Sequence, residues 1–406
     1  MKRFYFLILF ATQLAVAQPK TPKAVFIIID GVPADVIEKL ELPMIREISQ
    51  AGGYTRAYQG GDKENVTQTP TISAPGYYNV LTGVWGYKHN VWDNDIVAPN
   101  YNYWNIFRIA RFTKPTLKLA VFSTWEDNRT KLIGEGMPAA GSLVMDYKFD
   151  GLEKDTVTYP HDKEATHIKK IDEAVTDEAS RVIREQGPDL SWVYLEFTDD
   201  MGHRYGDSPQ FYDAVVAADQ QIGKIWSAIK EREKTTNEDW CIIITTDHGR
   251  TAENGKHHGG QSDRERATWI ATNAKNLNAT FNDNPGAVDI LPTLCRHLDI
   301  VAPDNIDREL DGVPLTGDID VSNLKAVKQG NKVLVTWKNR SLDNANMLEI
   351  LSSTTNHFKE GTPDEYESVR KVKSRAEKFE FTSKAEFMKL VVKGKHQTAS
   401  VWVGKK

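Results

Sequence analysis

One run of residues limits the possible folds more than any other. Lys23-Ala24-Val25-Phe26-Ile27-Ile28-Ile29 is apolar at six successive positions after the lysine and closes on Asp30-Gly31. A strand with one wet face alternates apolar and polar residues. A strand with no alternation must be covered on both faces, as in the middle of a parallel sheet with helices above and below. Similar runs recur at Leu117–Phe122, Leu190–Phe197 and Trp240–Thr246. Pro33 to Ser49 has helical spacing. Within Ser208–Arg232, Phe211, Val215, Ala218, Ile222, Ile225 and Ile229 recur at three- and four-residue steps. The strand–helix–strand series predicts an α/β domain, a doubly wound α/β/α sandwich with a mainly parallel sheet. The polar, poorly periodic stretch from about Arg129 to Thr176 reads as an insertion over the catalytic face of that sheet.

After Pro314-Leu315-Thr316-Gly317-Asp318 the texture changes to short alternating strands, among them Lys332–Trp337, Met347–Leu351, Lys378–Phe381, Phe387–Val392 and Ser400–Val403. That pattern predicts a small C-terminal β-sandwich, and its Val333-Leu334-Val335-Thr336-Trp337 strand resembles a fibronectin type III module. At the other end, Lys2 and Arg3 precede the apolar Phe4–Phe10, and Ala15-Val16-Ala17 precedes Gln18. This is the layout of a secretory signal peptide; the run is shorter than the roughly 20 residues a membrane-spanning helix needs. The expected organisation is a signal peptide over 1–17, a catalytic domain over 18–316 and the sandwich over 317–406, with a secreted or periplasmic mature protein.

The 406 residues favour two domains, and their net charge of -5 with both signs dispersed argues against a surface for duplex nucleic acid or a basic membrane face. Small charged or polar substrates remain open as partners, as does contact with a surface or polymer through the sandwich. Of the two cysteines, Cys241 lies in an apolar strand and Cys295 in an apolar helical segment. Buried thiols are expected, with a disulfide left open by an oxidising compartment. Neither has the spacing of a metal site.

Chemistry concentrates where strands end, the edge at which open α/β sheets build their sites. Asp30 closes the first strand, Asp199 and His203 follow the third, and Asp247-His248 follow the fourth; His257 and His258 lie in a nearby loop. Each motif alone is weak, since an Asp at a strand end is commonly a turn residue. Together they supply mixed oxygen and nitrogen donors suited to zinc or a similar divalent ion, and in number enough for two ions. Ser73 heads a predicted helix, where backbone N–H groups and the helix dipole stabilise negative charge.

Asp30-Gly31, Ser73-Ala74-Pro75-Gly76-Tyr77-Tyr78-Asn79-Val80-Leu81-Thr82-Gly83, Asp199-x-x-x-His203, Thr246-Asp247-His248-Gly249 and His258-Gly259-Gly260 resemble the ordered motifs of the alkaline phosphatase superfamily, in its type I phosphodiesterase/nucleotide pyrophosphatase branch. The resemblance covers roughly 23 to 300. It implies one zinc on Asp199, His203 and His258, and a second on Asp30, Asp247 and His248 with Ser73 as nucleophile and ligand. His257 is the alternative to His258. Val91-Trp92-Asp93-Asn94 resembles a stretch whose Asn, here Asn94, contacts a phosphate oxygen. Arg129, Lys131 and Arg250 are further candidates for phosphate by position.

The implied activity is hydrolysis of phosphate esters through a phosphoserine, a phosphodiesterase first. A phosphomonoesterase, a phosphoryl transferase and a surface binding protein with an inert enzyme domain stand as alternatives. Nucleotide-cleaving members commonly carry Thr followed by Phe-Pro-Asn, whereas Ser73 precedes Ala74-Pro75-Gly76. Sulfatases carry Cys/Ser-x-Pro-x-Arg, and Tyr77 stands at that Arg.

Overall fold

The computed structural model describes residues 18–404; the expected signal segment, 1–17, lies outside the described residues. The strands of the first domain are β1 (Thr21–Ile29), β2 (Gly53–Tyr58), β3 (Leu119–Ser123), β4 (Tyr147–Phe149), β5 (Leu190–Leu195), β6 (Glu238–Thr245) and β7 (Ala267–Thr272). They form one sheet in the order β2-β7-β6-β1-β5-β3-β4. The strands from β6 through β4 run parallel, while β7 and β2 are antiparallel additions at one edge.

Its helices are α1 (Ala34–Lys39), α2 (Pro43–Ala51), α3 (Ser73–Thr82), α4 (Gly86–His89), α5 (Ile106–Thr113), α6 (Thr166–Gln186), α7 (Phe197–Tyr205), α8 (Pro209–Thr235), α9 (Asp263–Arg266), α10 (Ile290–His297) and α11 (Asp304–Asp307). Alternate β1 side chains go to opposite faces. Ala24, Phe26 and Ile28 meet Tyr77 and Leu81 of α3, Ile106 of α5 and Leu291 of α10. Val25, Ile27 and Ile29 meet Ile45 of α2, Val175 of α6 and Val215 and Ile222 of α8. Each such buried side chain contributes roughly 1.5–3 kcal/mol, so the apolar run enforces a three-layer domain.

Several boundaries differ from expectation. The third run stops being a strand at Leu195, because Phe197 opens α7. The Pro33–Ser49 stretch is two helices, since Pro43 sits in the first turn of α2 and lacks the N–H a continuous helix needs. Residues 129–176 are less of an insertion than their polarity suggests. They supply the edge strand β4 and the first half of α6, whose Ile168, Ile171 and Val175 pack on the core. The antiparallel pairing of β2 with β7 has no counterpart in the sequence pattern, because Gly53-Tyr54-Thr55-Arg56 carries little apolar signal.

The second domain is a β-sandwich of β8 (Val321–Gln329), β9 (Lys332–Asn339), β10 (Met347–Ser353), β11 (Glu367–Lys373), β12 (Lys378–Thr382), β13 (Met388–Lys393) and β14 (Thr398–Val403). A three-stranded sheet, β12-β9-β8, faces a four-stranded one, β11-β10-β13-β14, over Val333, Val335, Trp337, Ile350 and Leu390. A buried ion pair joins it to the first domain: Lys389 pairs with Glu309 at 2.7 Å, and also with Asp364 of its own domain at 2.7 Å. Both cysteines are free and buried. Among the described residues, no helix is long and apolar enough to cross a membrane.

Candidate active site

The strands β6, β1 and β5 are neighbours in the sheet and parallel, so their carboxyl ends open on one edge. Asp30 follows β1 directly and Asp247-His248 follow β6 by one residue. Asp199 and His203 sit one turn apart on α7 and therefore share a face, with Asp199 Oδ2 3.1 Å from His203 Nε2. The connections brace one another: Gly31 N donates to Asp247 Oδ1 at 3.0 Å, Val32 N to Thr246 Oγ1 at 3.0 Å, and Thr198 Oγ1 to the Asp30 carbonyl at 2.6 Å.

Ser73 is the first residue of α3, after Ile72, and its hydroxyl caps nothing. Instead Ser73 Oγ faces His248 Nε2 at 3.4 Å. The same nitrogen lies 3.4 Å from Asp30 Oδ1 and 3.2 Å from Asp247 Oδ2. Those two carboxylate oxygens are buried and accept no hydrogen bond. His248 Nδ1 faces the Gly249 carbonyl at 2.9 Å, so it carries the ring proton and leaves Nε2 a bare lone pair. In a second cluster His258 Nδ1 faces the Thr71 carbonyl at 2.9 Å, which likewise turns a bare Nε2 toward His203 Nε2, 3.0 Å away. The His248 and His258 rings stack at 3.7 Å between centroids.

Electrostatics point the same way. Burial, reinforced by the charges of Asp247 and Asp199, pushes the Asp30 carboxyl well above the usual range. Burial also raises Asp247. Burial acts to raise Asp199 too, but the adjacent Arg250 and His203 outweigh it and hold this carboxyl low. Burial, then the neighbouring His258, keeps His248 neutral, and burial lowers His258 as well. Converging lone pairs, orphaned carboxylate oxygens and the neutral His248 and His258 rings make a pocket rich in acceptors, whose neighbouring cation Arg250 is bonded to Asp199, and such a donor set suits divalent cations. Asp199, His203 and His258 form one donor group, and Asp30 and His248 a second that Asp199 also borders. Asp247 joins through the 3.2 Å contact to His248. His257 stays exposed outside both groups.

The expected phosphate partners fare differently. Asn94 stands on an exposed loop and its Oδ1 accepts the Ala74 N–H at 2.9 Å, one residue from Ser73. Lys131 pairs with Asp127 at 2.8 Å and comes within 3.4 Å of the Asp95 carbonyl, beside that loop. Arg129 is committed elsewhere, to Asp150 at 2.7 Å and Glu135 at 2.6 Å. Arg250 is fully buried and bonded to Asp199 and the Gly31 carbonyl.

Tyr77 is buried; its hydroxyl donates to Asp30 Oδ2, as does that of Tyr194 at 2.7 Å. Tyr78 is core as well. Neither tyrosine role has a sequence signal, because both partners are remote. Gly76 had one: a Cβ there would lie 2.7 Å from the Asp247 carbonyl, so the glycine lets α3 approach the end of β6.

A family model described as type I phosphodiesterase / nucleotide pyrophosphatase matches residues 24–359. Human ectonucleotide pyrophosphatase/phosphodiesterase family member 5 is 26% identical over 243 residues, covering 58% of this chain and 46% of the relative. Venom phosphodiesterase CdcPDE of Crotalus durissus collilineatus is 24% identical over 253 residues, covering 59% and 27%. The chain therefore matches less than half the length of these curated relatives. Among solved structures, the phosphonate monoester hydrolase of Agrobacterium radiobacter superposes with a TM-score of 0.52 at 14% identity, over 94% of this chain and 88% of that one. That likeness is one of fold.

Proposed function

Because the chain belongs to the type I phosphodiesterase/nucleotide pyrophosphatase family, within the alkaline phosphatase superfamily, we propose that it is a metal-dependent phosphodiesterase that uses Ser73 as its nucleophile. The observation that carries this is the meeting of Ser73 Oγ, Asp30 Oδ1 and Asp247 Oδ2 around His248 Nε2, all within 3.4 Å of that nitrogen, at the mouth of α3. Two zinc ions, one on Asp199, His203 and His258 and one on Asp30, Asp247, His248 and Ser73, would supply Lewis acidity to the attacking and departing oxygens.

The chain's own residues do the rest. Ser73 Oγ forms the new O–P bond as the bond to the leaving alcohol breaks, and the first-turn N–H groups of α3 face the charge that develops. Asn94, its Oδ1 held by Ala74 N, is free to offer its amide N–H to a phosphoryl oxygen. Tyr77 and Tyr194 hold Asp30 in place. Water then cleaves the phosphoserine, regenerating Ser73 and releasing a phosphomonoester; two inversions give net retention at phosphorus.

The commitments of Arg129 and Arg250 support a diester over a monoester. Both are tied to carboxylates, and Lys131, the third, pairs with Asp127 at 2.8 Å, so each of the three already has an acidic partner in place of the extra charge of a dianion. The strand orders β12-β9-β8 and β11-β10-β13-β14 support a fibronectin type III-like module over 317–406. Export after cleavage near Ala17 rests on the signal-like sequence, and contact of the sandwich with a surface or polymer stays part of the same proposal.

The test compares zinc-loaded protein on bis(p-nitrophenyl) phosphate and p-nitrophenyl phosphate, alongside Ser73→Ala. Faster turnover of the diester and loss of turnover in the folded, metal-loaded variant are expected. Equal rates in Ser73→Ala would remove the nucleophile assignment, and faster monoester turnover the diesterase one.

A further inference from the structure

We infer that Arg250 is a positioning residue that fixes Asp199 as a one-oxygen ligand and keeps the ligand-bearing segments of both ion sites in register. The inference rests on the two-ion reading of the site. The Arg250 side chain is among the largest fully buried ones in the chain. Its Nε donates to the Gly31 carbonyl at 2.8 Å, in the turn that directly follows Asp30. Its Nη2 donates to the Asp199 carbonyl at 2.9 Å and also to Asp199 Oδ1. Its Nη1 lies 3.4 and 3.5 Å from the carbonyls of Gly255 and Lys256, in the loop that leads to His258. One rigid fork thus touches the turn after Asp30, the helix of Asp199 and His203, and the loop of His258, and its own backbone follows Asp247-His248.

The surroundings are shaped for this group. The guanidinium lies over the Phe211 ring, 5.5 Å from its centroid. A Cβ on Gly202 would fall 2.1 Å from its central carbon, and one on Gly31 2.6 Å from Nη2. Two glycines therefore leave a slot that the arginine fills. With Asp199 Oδ1 held by a charged donor, Oδ2, 3.1 Å from His203 Nε2, is the oxygen with no arginine contact, the better placed for an ion. The same contact places positive charge beside the three clustered carboxylates. A lysine could supply that charge but not three donors in one plane. Arg250 so placed acts through Asp199 and does not reach the substrate.

The experiment titrates EDTA-stripped protein with Co²⁺, following its visible absorption, for the wild type, Arg250→Lys and Gly202→Ala. Gly202→Ala keeps the arginine but displaces it. Thermal melting of the stripped proteins checks the fold. The wild type is expected to bind two ions. Each variant is expected to bind one of them about 10–100-fold more weakly, with a changed spectrum for that ion, as loss of a partner behind a metal ligand does. Two ions held with wild-type affinity and spectrum in either folded variant would overturn the inference. If both variants are unfolded without metal, Arg250 is a core element and the inference also falls. A wild type that binds no Co²⁺ would instead overturn the two-ion reading itself.

Discussion

Protonating His89 should strip the protein of much of its stability in mild acid. The ring is fully buried, behind α3. Val91 N donates to its Nδ1 at 3.1 Å, so the proton sits on Nε2, which faces Asn79 Oδ1 at 2.9 Å. From there the chain of bonds continues from Asn79 Nδ2 to Gln59 Oε1 at 2.8 Å and from Gln59 Nε2 to the Gly76 carbonyl at 3.1 Å. A second proton would meet the Val91 N–H and lose its solvation. Burial accordingly lowers the His89 pKa from 6.5 to about 3. Between those values the unfolded chain binds a proton that the native one refuses. Stability is thus fully present above about pH 6.5 and falls as pH drops toward 3, by about 1.4 kcal/mol per pH unit. The whole separation is worth about 5 kcal/mol, and about 3 kcal/mol is already lost at pH 4.5. That is a large share of the roughly 5–15 kcal/mol typical of a domain. Urea unfolding of EDTA-treated wild type and His89→Gln at pH 7.5 and 4.5 measures it. Gln keeps an N–H for Asn79 and does not titrate, so the variant should lose about 3 kcal/mol less on acidification. Parallel losses in the two proteins would refute the argument.

Gly76→Ala should destabilise, although alanine normally improves a helix interior by about 1 kcal/mol. Its Cβ would sit 2.7 Å from the Asp247 carbonyl, an overpacking cost of about 1–3 kcal/mol, and by shifting Ser73 it should lower kcat; melting and initial rates check both. Arg129→Met should cost about 3 kcal/mol, because it strands the buried carboxylate of Asp150 (Glu135 keeps Lys148 at 3.0 Å), while KM for a diester stays unchanged; a raised KM would mean that Arg129 reaches phosphate. Tyr77→Phe removes a donor to Asp30 and should weaken metal binding about 10–100-fold by competition with a chelator.

Much of the molecule is legible before folding. An apolar run like Ala24–Ile29 has one stable environment, a strand buried on both faces, and Asp30 at its end is then carried to the edge where loops converge. The donor set of Asp30, Asp199, His203, Asp247, His248 and His258 is legible too, because ligand chemistry depends on residue type and these follow strand ends in order. Weakly apolar edge strands such as β2 were not, since their pairing with β7 crosses more than 200 residues and leaves no local period. Nor were the roles of the arginines and tyrosines. Sequence identifies Arg250 as a cation after an Asp-His-Gly motif, but it reaches Gly31 and Asp199 only because β6, β1 and β5 lie side by side. A side chain's type belongs to the chain, and its partners belong to the sheet order, because the atoms that decide between binding a phosphate and bracing a ligand are distant in sequence and meet only in the folded layers.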